Sequence, residues 1–254
     1  MSDEVLVERR GAVQVIVINR PEARNALNLA VATAIRDAVD ELDADGELRA
    51  GVLTGAGGTF SAGMDLKAFL RGETPAFPGR GLCGITETPP RKPLIGAVEG
   101  WALAGGFELV LACDLVVAGA SARFGVPEVK RALVAGAGGA LLLPQRIPRA
   151  IALEMLLTGD PIDAARAAEV GLVNRVVDDG QAVEAAVELA MRIAANGPLA
   201  LTATKQIATR GGDWDGAEQW EKANALMAPV FGSQDAQEGA RAFAEKRPPV
   251  WKGQ

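Results

Sequence analysis

The sequence predicts an α/β protein that turns mostly helical beyond about residue 140. Two patterns predict it. Through the middle of the chain, short apolar runs of strand length alternate with amphipathic runs of helix length, the order of an α/β architecture. Later, the apolar residues recur at helical spacing. The size agrees: 254 residues, 49% hydrophobic and 23% charged, suffice for one large core or a core with a small appendage.

The elements follow in order. "EVLVERRGAVQVIVINRP" reads as two strands joined at Gly11, with Val13, Val15 and Val17 alternating and Pro21 ending the second. "NALNLAVATAIRDAVDELDAD" is an amphipathic helix with Asn28 as its N-cap. "RAGVLTGAG" is a buried strand entering a glycine turn, and "TFSAGMDLKAFL" leads from a loop into a helix. Residues 72–90 form a loop rich in Pro and Gly, and a long loop in a compact domain is often functional. "KPLIGAVEG" is a strand, followed by a helix over 105–113 and a strand over 115–118. "AIALEMLLTG" is a helix ending at Gly159, and "IDAARAAEVGLV" is a capped helix leading to strand "VNRVV". "QAVEAAVELAMRIAANGP" is a long amphipathic helix stopped by Gly197 and Pro198, with three more helices beyond it. A boundary near Pro198 divides a core of residues 1–197 from a helical region of 198–254.

Composition excludes several functions. The formal net charge is -6 with no basic stripe, so nucleic acid is not an expected partner. The acidic start "MSDEVLVERR" lacks the apolar stretch of a signal peptide. The apolar runs are too short to span a bilayer, one interrupted by Asp114 and another stopping at Pro144. Cys83 and Cys113 are too few for a disulfide framework and read as small buried hydrophobes, so the cytoplasm is the expected compartment. The chain has no His and no Tyr, which removes histidine-based nucleophile triads, zinc sites and general bases. Acid–base chemistry is left to Asp, Glu, Lys, Cys or water.

Glycines raise the next question. "GAGG" occurs at 55–58 and 136–139, but the last position of a G-x-G-x-x-G fingerprint falls on Phe60 and Leu141, and no P-loop is present. Two other segments, "FSAGMDL" and "ALAGGFEL", place small residues just ahead of helix starts. Free N–H groups at such starts, converging on one point, make an oxyanion hole. Glu108 follows Gly105 and Gly106 and precedes an almost unbroken apolar run. An ionised carboxylate in apolar surroundings is costly unless paired, bonded or used. Glu128, after Pro127, begins another helical run. Each acid is either a helix-terminal residue favoured by the dipole or a functional group. Asp114 is expected to bond backbone locally. Arg24, Lys67 and Lys92 read as surface residues.

"NRPEARNAL", "GTFSAGMDL", "GWALAGGFELVLACDLVVA" and "ARFGVPEVKRALVAGAGG", continuing through "LTGDPIDAARAAEVGLVNRVV" to "EGARAFAEKRPPVWKG", resemble the ordered motifs of the crotonase superfamily of enoyl-CoA hydratases and isomerases. The resemblance implies a spiral of repeated ββα units with a C-terminal helical region that builds trimers, often paired into hexamers. It implies that Ala62 and Gly105 are the oxyanion-hole residues and that Gly63, Met64, Asp65 and Gly106 lie beside the CoA thioester. It makes Glu108 the first and Glu128 the second catalytic glutamate. Phe243 and Lys246 match a pair approaching CoA bound to a neighbouring subunit, and Arg24 is placed to meet a CoA phosphate.

The implied reaction is reversible syn hydration of a trans-2-enoyl-CoA. Glu108 is the expected base and Glu128, protonated, the acid. Residues 67–90 are expected to line the acyl pocket. No metal or cofactor is expected, coenzyme A being part of the substrate. The alternatives are a specialised dehydratase or isomerase acting on a carnitinyl-CoA-like or aromatic enoyl-CoA, a non-catalytic acyl-CoA-binding relative, or a structural oligomer whose acids only cap helices.

Overall fold

The computed structural model describes residues 4–254. The chain opens with β1 (Val5–Arg10) and β2 (Val13–Ile18), an antiparallel hairpin turning at Gly11. α1 (Leu29–Ala44) follows, and the Asn28 side chain caps it by accepting the Val31 N–H at 2.8 Å. β3 (Ala50–Gly55), α2 (Leu66–Leu70), β4 (Ala76–Phe77), β5 (Gly81–Leu82), β6 (Leu94–Val98), β7 (Trp101–Leu103), α3 (Gly105–Ala112), β8 (Leu115–Gly119) and β9 (Arg123–Gly125) come next. A short 3₁₀ helix at Pro127–Arg131 leads to α4 (Gly139–Arg146), α5 (Arg149–Thr158), β10 (Ile162–Asp163), α6 (Ala164–Glu169) and β11 (Arg175–Val177). Then come α7 (Ala182–Ala194), α8 (Pro198–Arg210), α9 (Gln219–Phe231) and α10 (Gln234–Glu245).

The large sheet has the order β1-β2-β3-β6-β8-β11 and is parallel from β2 onward. Its inner strands are buried on both faces, which is why they read as continuous apolar runs. Val13, Val15, Val52, Ile95 and Ala97 meet Ala182, Ala186 and Ala190 of α7. The alternate residues Ile16, Ile18, Leu53, Leu94 and Val98 share a second core with Val31, Ile35 and Val39 of α1 and Phe107 and Val110 of α3.

A smaller sheet, β10-β9-β7, stands beside it, and Ser61 bridges to Ala102 at its end. The chain therefore repeats one turn. A strand in the large sheet leads to a strand or bridge in the small one, and then to a helical segment: β3, Ser61 and α2; β6, β7 and α3; β8, β9 and the 3₁₀ helix. This is the expected ββα spiral. It brings the segments before α2, before α3 and after β9 to adjacent places.

Several expectations are corrected. β7 and β9 are three residues each, too short for alternation to announce them. Residues 72–90 are patterned, since β4 and β5 pair within them. Arg80 holds this hairpin to Asp40 of α1 at 2.7 and 2.8 Å, and Arg36 lies 4.4 Å from the Phe77 ring centre. Pro144, where the apolar run stops, sits inside α4, which continues to Arg146. Asp114 bonds over a long range: it accepts the Leu94 N–H at 2.7 Å and Lys205 Nζ at 2.6 Å, tying α8 to the core. Lys92 is half-buried and its Nζ donates to the carbonyls of Leu42 and Asp45. Both cysteines are free and buried.

α8 buries no residue, α9 only Ala223, and α10 only Asp235 and Ala242. Among the described residues, no helix is long and apolar enough to cross a membrane.

Candidate active site

The segment before α2 is built from the turn after β2. Arg24 and Asn25 both adopt positive φ, 53° and 54°, folding residues 20–27 back on themselves. Asn25 is fully buried. Its Nδ2 donates to the carbonyls of Ala56 and Thr59, both at 2.8 Å, and its carbonyl accepts the Ser61 hydroxyl at 2.8 Å. Ser61 Oγ in turn accepts the Gly63 N–H at 3.1 Å. A parallel bridge then joins Leu27 to Met64: the Leu27 N–H donates to the Gly63 carbonyl at 2.8 Å, and the Asp65 N–H donates to the Leu27 carbonyl at 2.9 Å.

This bridge corrects the expected oxyanion pair. The Ala62 N–H is consumed, donating to the Arg24 carbonyl at 3.0 Å. Met64 lies between the two bonded residues of the bridge, and its N–H has no hydrogen-bond partner among the described residues. The Gly105 N–H, at the first position of α3, is likewise unpartnered. The two lie side by side, because a Cβ built on Gly105 would stand 3.6 Å from the Met64 nitrogen. The adjacent free amides are those of Met64 and Gly105, not those of Ala62 and Gly105. The direction of each amide is set by the Leu27 bridge and is invisible in the motif.

Glycine is required here for close approach. A Cβ on Gly63 would lie 2.8 Å from Ala104 Cβ, and one on Gly106 would lie 2.5 Å from the Ser61 carbonyl oxygen. Gly106, expected beside the ester, therefore packs α3 onto Ser61. Ala104, the N-cap of α3, holds φ 51° and ψ -128° without a side-chain bond, while its N–H donates to the Gly125 carbonyl at 2.9 Å. That strain aims the Gly105 amide outward from the helix start.

Glu108 is 3% exposed. Its Oε1 accepts the Gly139 N–H, the first amide of α4, at 2.9 Å. It does not cap its own helix. Burial pushes its carboxyl up to about 7; the charge of Glu128 adds to the rise, and the Gly139 and Ala137 amides oppose it. Glu128, on the 3₁₀ helix, is also raised, by burial, with its own amide and Arg131 pulling the other way. Its Oε2 is buried with no hydrogen-bond partner among the described residues. The expectation was Glu128 raised both by an adjacent ionised Glu108 and by an apolar wall. Burial is the leading cause of the rise at both carboxyls, and repulsion between the two neighbours adds to it at Glu108. Such a pair titrates as a unit.

This makes a stability prediction. Below pH 4.5, Glu108 is protonated folded and unfolded, and the folded chain suffers no penalty. As pH rises from 4.5 to about 7, the unfolded chain ionises first and stability is lost. Above that range the loss is complete, about 3 kcal/mol. Glu108→Gln, which keeps an oxygen for the Gly139 N–H, should exceed the parent in urea-unfolding stability near pH 8 and match it near about pH 4. An equal difference at both pH values would contradict the raised carboxyl.

The remaining expected residues sort as follows. Gly63, Met64 and Asp65 line the segment facing Gly105, and Asp65 caps α2 by accepting the Lys67 and Ala68 N–H groups. The Arg24 side chain makes no hydrogen bond or ion pair with the described residues. Phe243 is 87% exposed and Lys246 closes α10, which packs on α9; neither bonds a site residue of its own chain. No cluster of three potential metal ligands occurs among the described residues. Arg20, Asn25, Ser61 and Gly139 were not anticipated as site residues. All four lie in quoted motifs, and only the fold shows their roles.

Known proteins resemble the chain along nearly its whole length. The sequence profile of the enoyl-CoA hydratase/isomerase family matches residues 8–254. The chain is 44% identical to enoyl-CoA hydratase EchA19 of Mycobacterium tuberculosis, over 97% of this chain and 95% of that protein. It is 41% identical to carnitinyl-CoA dehydratase of Salmonella typhi, with both chains fully covered. The solved structure of enoyl-CoA hydratase EchA1 from Mycobacterium marinum superposes with a TM-score of 0.98 at 57% identity, covering 100% of both chains.

Proposed function

The chain belongs to the enoyl-CoA hydratase/isomerase family and is an acyl-CoA hydratase or dehydratase of the crotonase type. From that premise we propose that it catalyses reversible syn addition of water to a trans-2-enoyl-CoA, giving a 3-hydroxyacyl-CoA. One observation carries the reading: two carboxyls raised by burial, Glu108 buried and Glu128 half-buried, neighbour the amides of Met64 and Gly105, which have no partner among the described residues.

The two amides donate to the thioester carbonyl oxygen. They stabilise the negative charge that grows there as water oxygen bonds to C3. One such donor is worth about 2.7–4 kcal/mol in enzymes where it has been removed. The carboxyl pair holds the water and carries one proton near neutrality. The ionised member takes a proton from the water, and the protonated member delivers one to C2. The pair ends with one proton, as it began. Two identical groups acquire opposite tasks because burial and mutual repulsion separate their titrations. Neither step calls on a metal or a separate cofactor.

A second reading keeps the same machinery and changes the acyl group. Several relatives at 41% identity are named carnitinyl-CoA dehydratase, which favours dehydration of a 3-hydroxyacyl ester with a specialised tail. A turnover screen decides between them. Straight-chain enoyl-CoA esters of graded length, an aromatic enoyl-CoA and a carnitinyl-CoA ester are offered separately, and kcat/KM is compared. Highest turnover on straight-chain enoyl esters supports the first reading, and highest turnover on the carnitinyl ester supports the second. Tight binding without turnover on any ester would defeat both.

Assembly belongs to the same proposal. α8 to α10 bury almost nothing within their own chain and expose Trp220, Phe231 and Phe243. Such a surface fits an association face, and residues 198–254 are proposed to build a homotrimer or hexamer. In that assembly Phe243 and Lys246 would reach CoA on a neighbouring subunit, and Arg24 would meet a CoA phosphate. A monomeric mass in sedimentation at micromolar concentration would rule the assembly out.

A further inference from the structure

Arg20 is 15% exposed at its side chain, and its guanidinium makes no contact with the two glutamates. It braces the bridge that fixes the Met64 amide. Nη1 donates to the Ala26 carbonyl at 2.5 Å, next to Leu27 on one side of the bridge. Nη1 and Nη2 both donate to Asp65 Oδ2 at 3.1 Å, next to Met64 on the other side. Nε lies 3.1 Å from Glu4 Oε1 on the edge hairpin. The other oxygen of Asp65, Oδ1, accepts the Lys67 and Ala68 N–H groups at 3.0 and 3.1 Å and starts α2. Burial works against the Asp65 carboxylate, yet the α2 amides and Arg20 hold it below the usual range. A planar fork spanning two acceptors on two chain segments is a task for arginine rather than lysine.

We propose that Arg20 is a positioning residue for the reaction. By clamping Ala26 and Asp65 across the Leu27–Met64 bridge, it holds the Met64 N–H in line with Gly105 for the developing oxyanion. The proposal rests on the hydration reading above. An amide displaced by about 1 Å leaves the ester bound but loses charge stabilisation where it counts, and such misplacement costs on the order of 10²-fold in rate. The brace therefore acts on kcat and leaves KM nearly alone.

Two variants test this. Arg20→Ala removes the brace. Asp65→Asn keeps an oxygen for the α2 amides, since Asn caps as well as Asp, and weakens only the link to Arg20. Each is measured for kcat and KM on the best enoyl-CoA ester. Each is also measured for the ultraviolet enolate band of bound acetoacetyl-CoA, whose enolate oxygen presents the same negative charge without turnover. Both variants are expected to lose about 10- to 100-fold in kcat, with KM within about threefold, and to show a weakened enolate band. Arg20→Lys is expected to recover little of either. If Arg20→Ala does not fold, Asp65→Asn decides alone.

Folded variants with the parent's kcat and enolate band would overturn the proposal, as would a loss confined to thermal stability. If the parent hydrates no enoyl-CoA ester yet produces the enolate band, the hydration reading fails, and the brace is judged by the band alone. If the parent shows neither, there is no oxyanion site for Arg20 to position, and both fall.

Discussion

Glu108→Gln is expected to lower turnover of the best enoyl-CoA ester by about 10²–10⁴-fold, the range of a general acid–base group. The substitution keeps the volume and keeps an acceptor for the Gly139 N–H, so the site's shape survives. What disappears is the ability to take and return a proton. Glu128→Gln is expected to cost a similar factor. It also places an amide where Oε2 now lies buried without a partner among the described residues. The two losses should not add. The pair handles one water and one proton as a unit, so the double variant should be scarcely slower than the worse single one. Stability at neutral pH that equals or exceeds the parent's, set beside lost turnover, separates chemistry from folding. If neither single change lowers the rate tenfold, the paired-carboxyl account is wrong.

Gly63→Ala is expected to produce the other large loss. Gly63 has a φ of +91°, where an L side chain is strained. Its new Cβ would lie 2.8 Å from Ala104 Cβ, 2.9 Å from the Leu103 carbonyl oxygen and 3.1 Å from the Gly105 nitrogen. Those atoms are backbone or a fixed methyl, so the segment carrying Met64 must move away from α3. The two oxyanion donors then part, and removing even one costs about 10²–10³ in kcat. The stability loss should be smaller, about 1–3 kcal/mol from the left-handed backbone and the contact. Gly171→Ala is the control. Gly171 also has positive φ, +83°, but a Cβ there meets nothing within 4 Å. It should lower the Tm by a few degrees and leave kcat unchanged.

Much of this was legible in the sequence, and what was not has physical causes. β2, α1, β3, β6, α3 and α7 are long or strongly periodic, and their burial on one or two faces is written in the residue pattern. β7 and β9 are too short to show a period, although they build the small sheet that spaces the site. The glutamates stood out because a carboxylate among apolar residues is anomalous. Their electrostatic division was less visible, since it depends on how deeply each is buried once α4 closes over Glu108. The Ala62 amide, expected to be free, is bonded, and the Met64 amide two residues on is free. A bridge between Leu27 and Met64, formed by segments nearly forty residues apart, decides which N–H is free. Arg20 and Asn25 lie in a quoted motif, but their work depends on two consecutive left-handed residues, Arg24 and Asn25, that no spacing rule announces. Asp114 was expected to act locally and instead pairs with Lys205, ninety-one positions away.

The most direct test of the central claim is the fate of one substrate in labelled water. The enzyme is given its best trans-2-enoyl-CoA in deuterated, heavy-oxygen water, and the product is analysed by mass spectrometry and NMR. The account predicts a 3-hydroxyacyl-CoA with labelled oxygen at C3 and deuterium at C2, both on the same face. It also predicts that Glu108→Gln and Glu128→Gln each slow the appearance of both labels together. Migration of the double bond without oxygen incorporation, or labels on opposite faces, would contradict it.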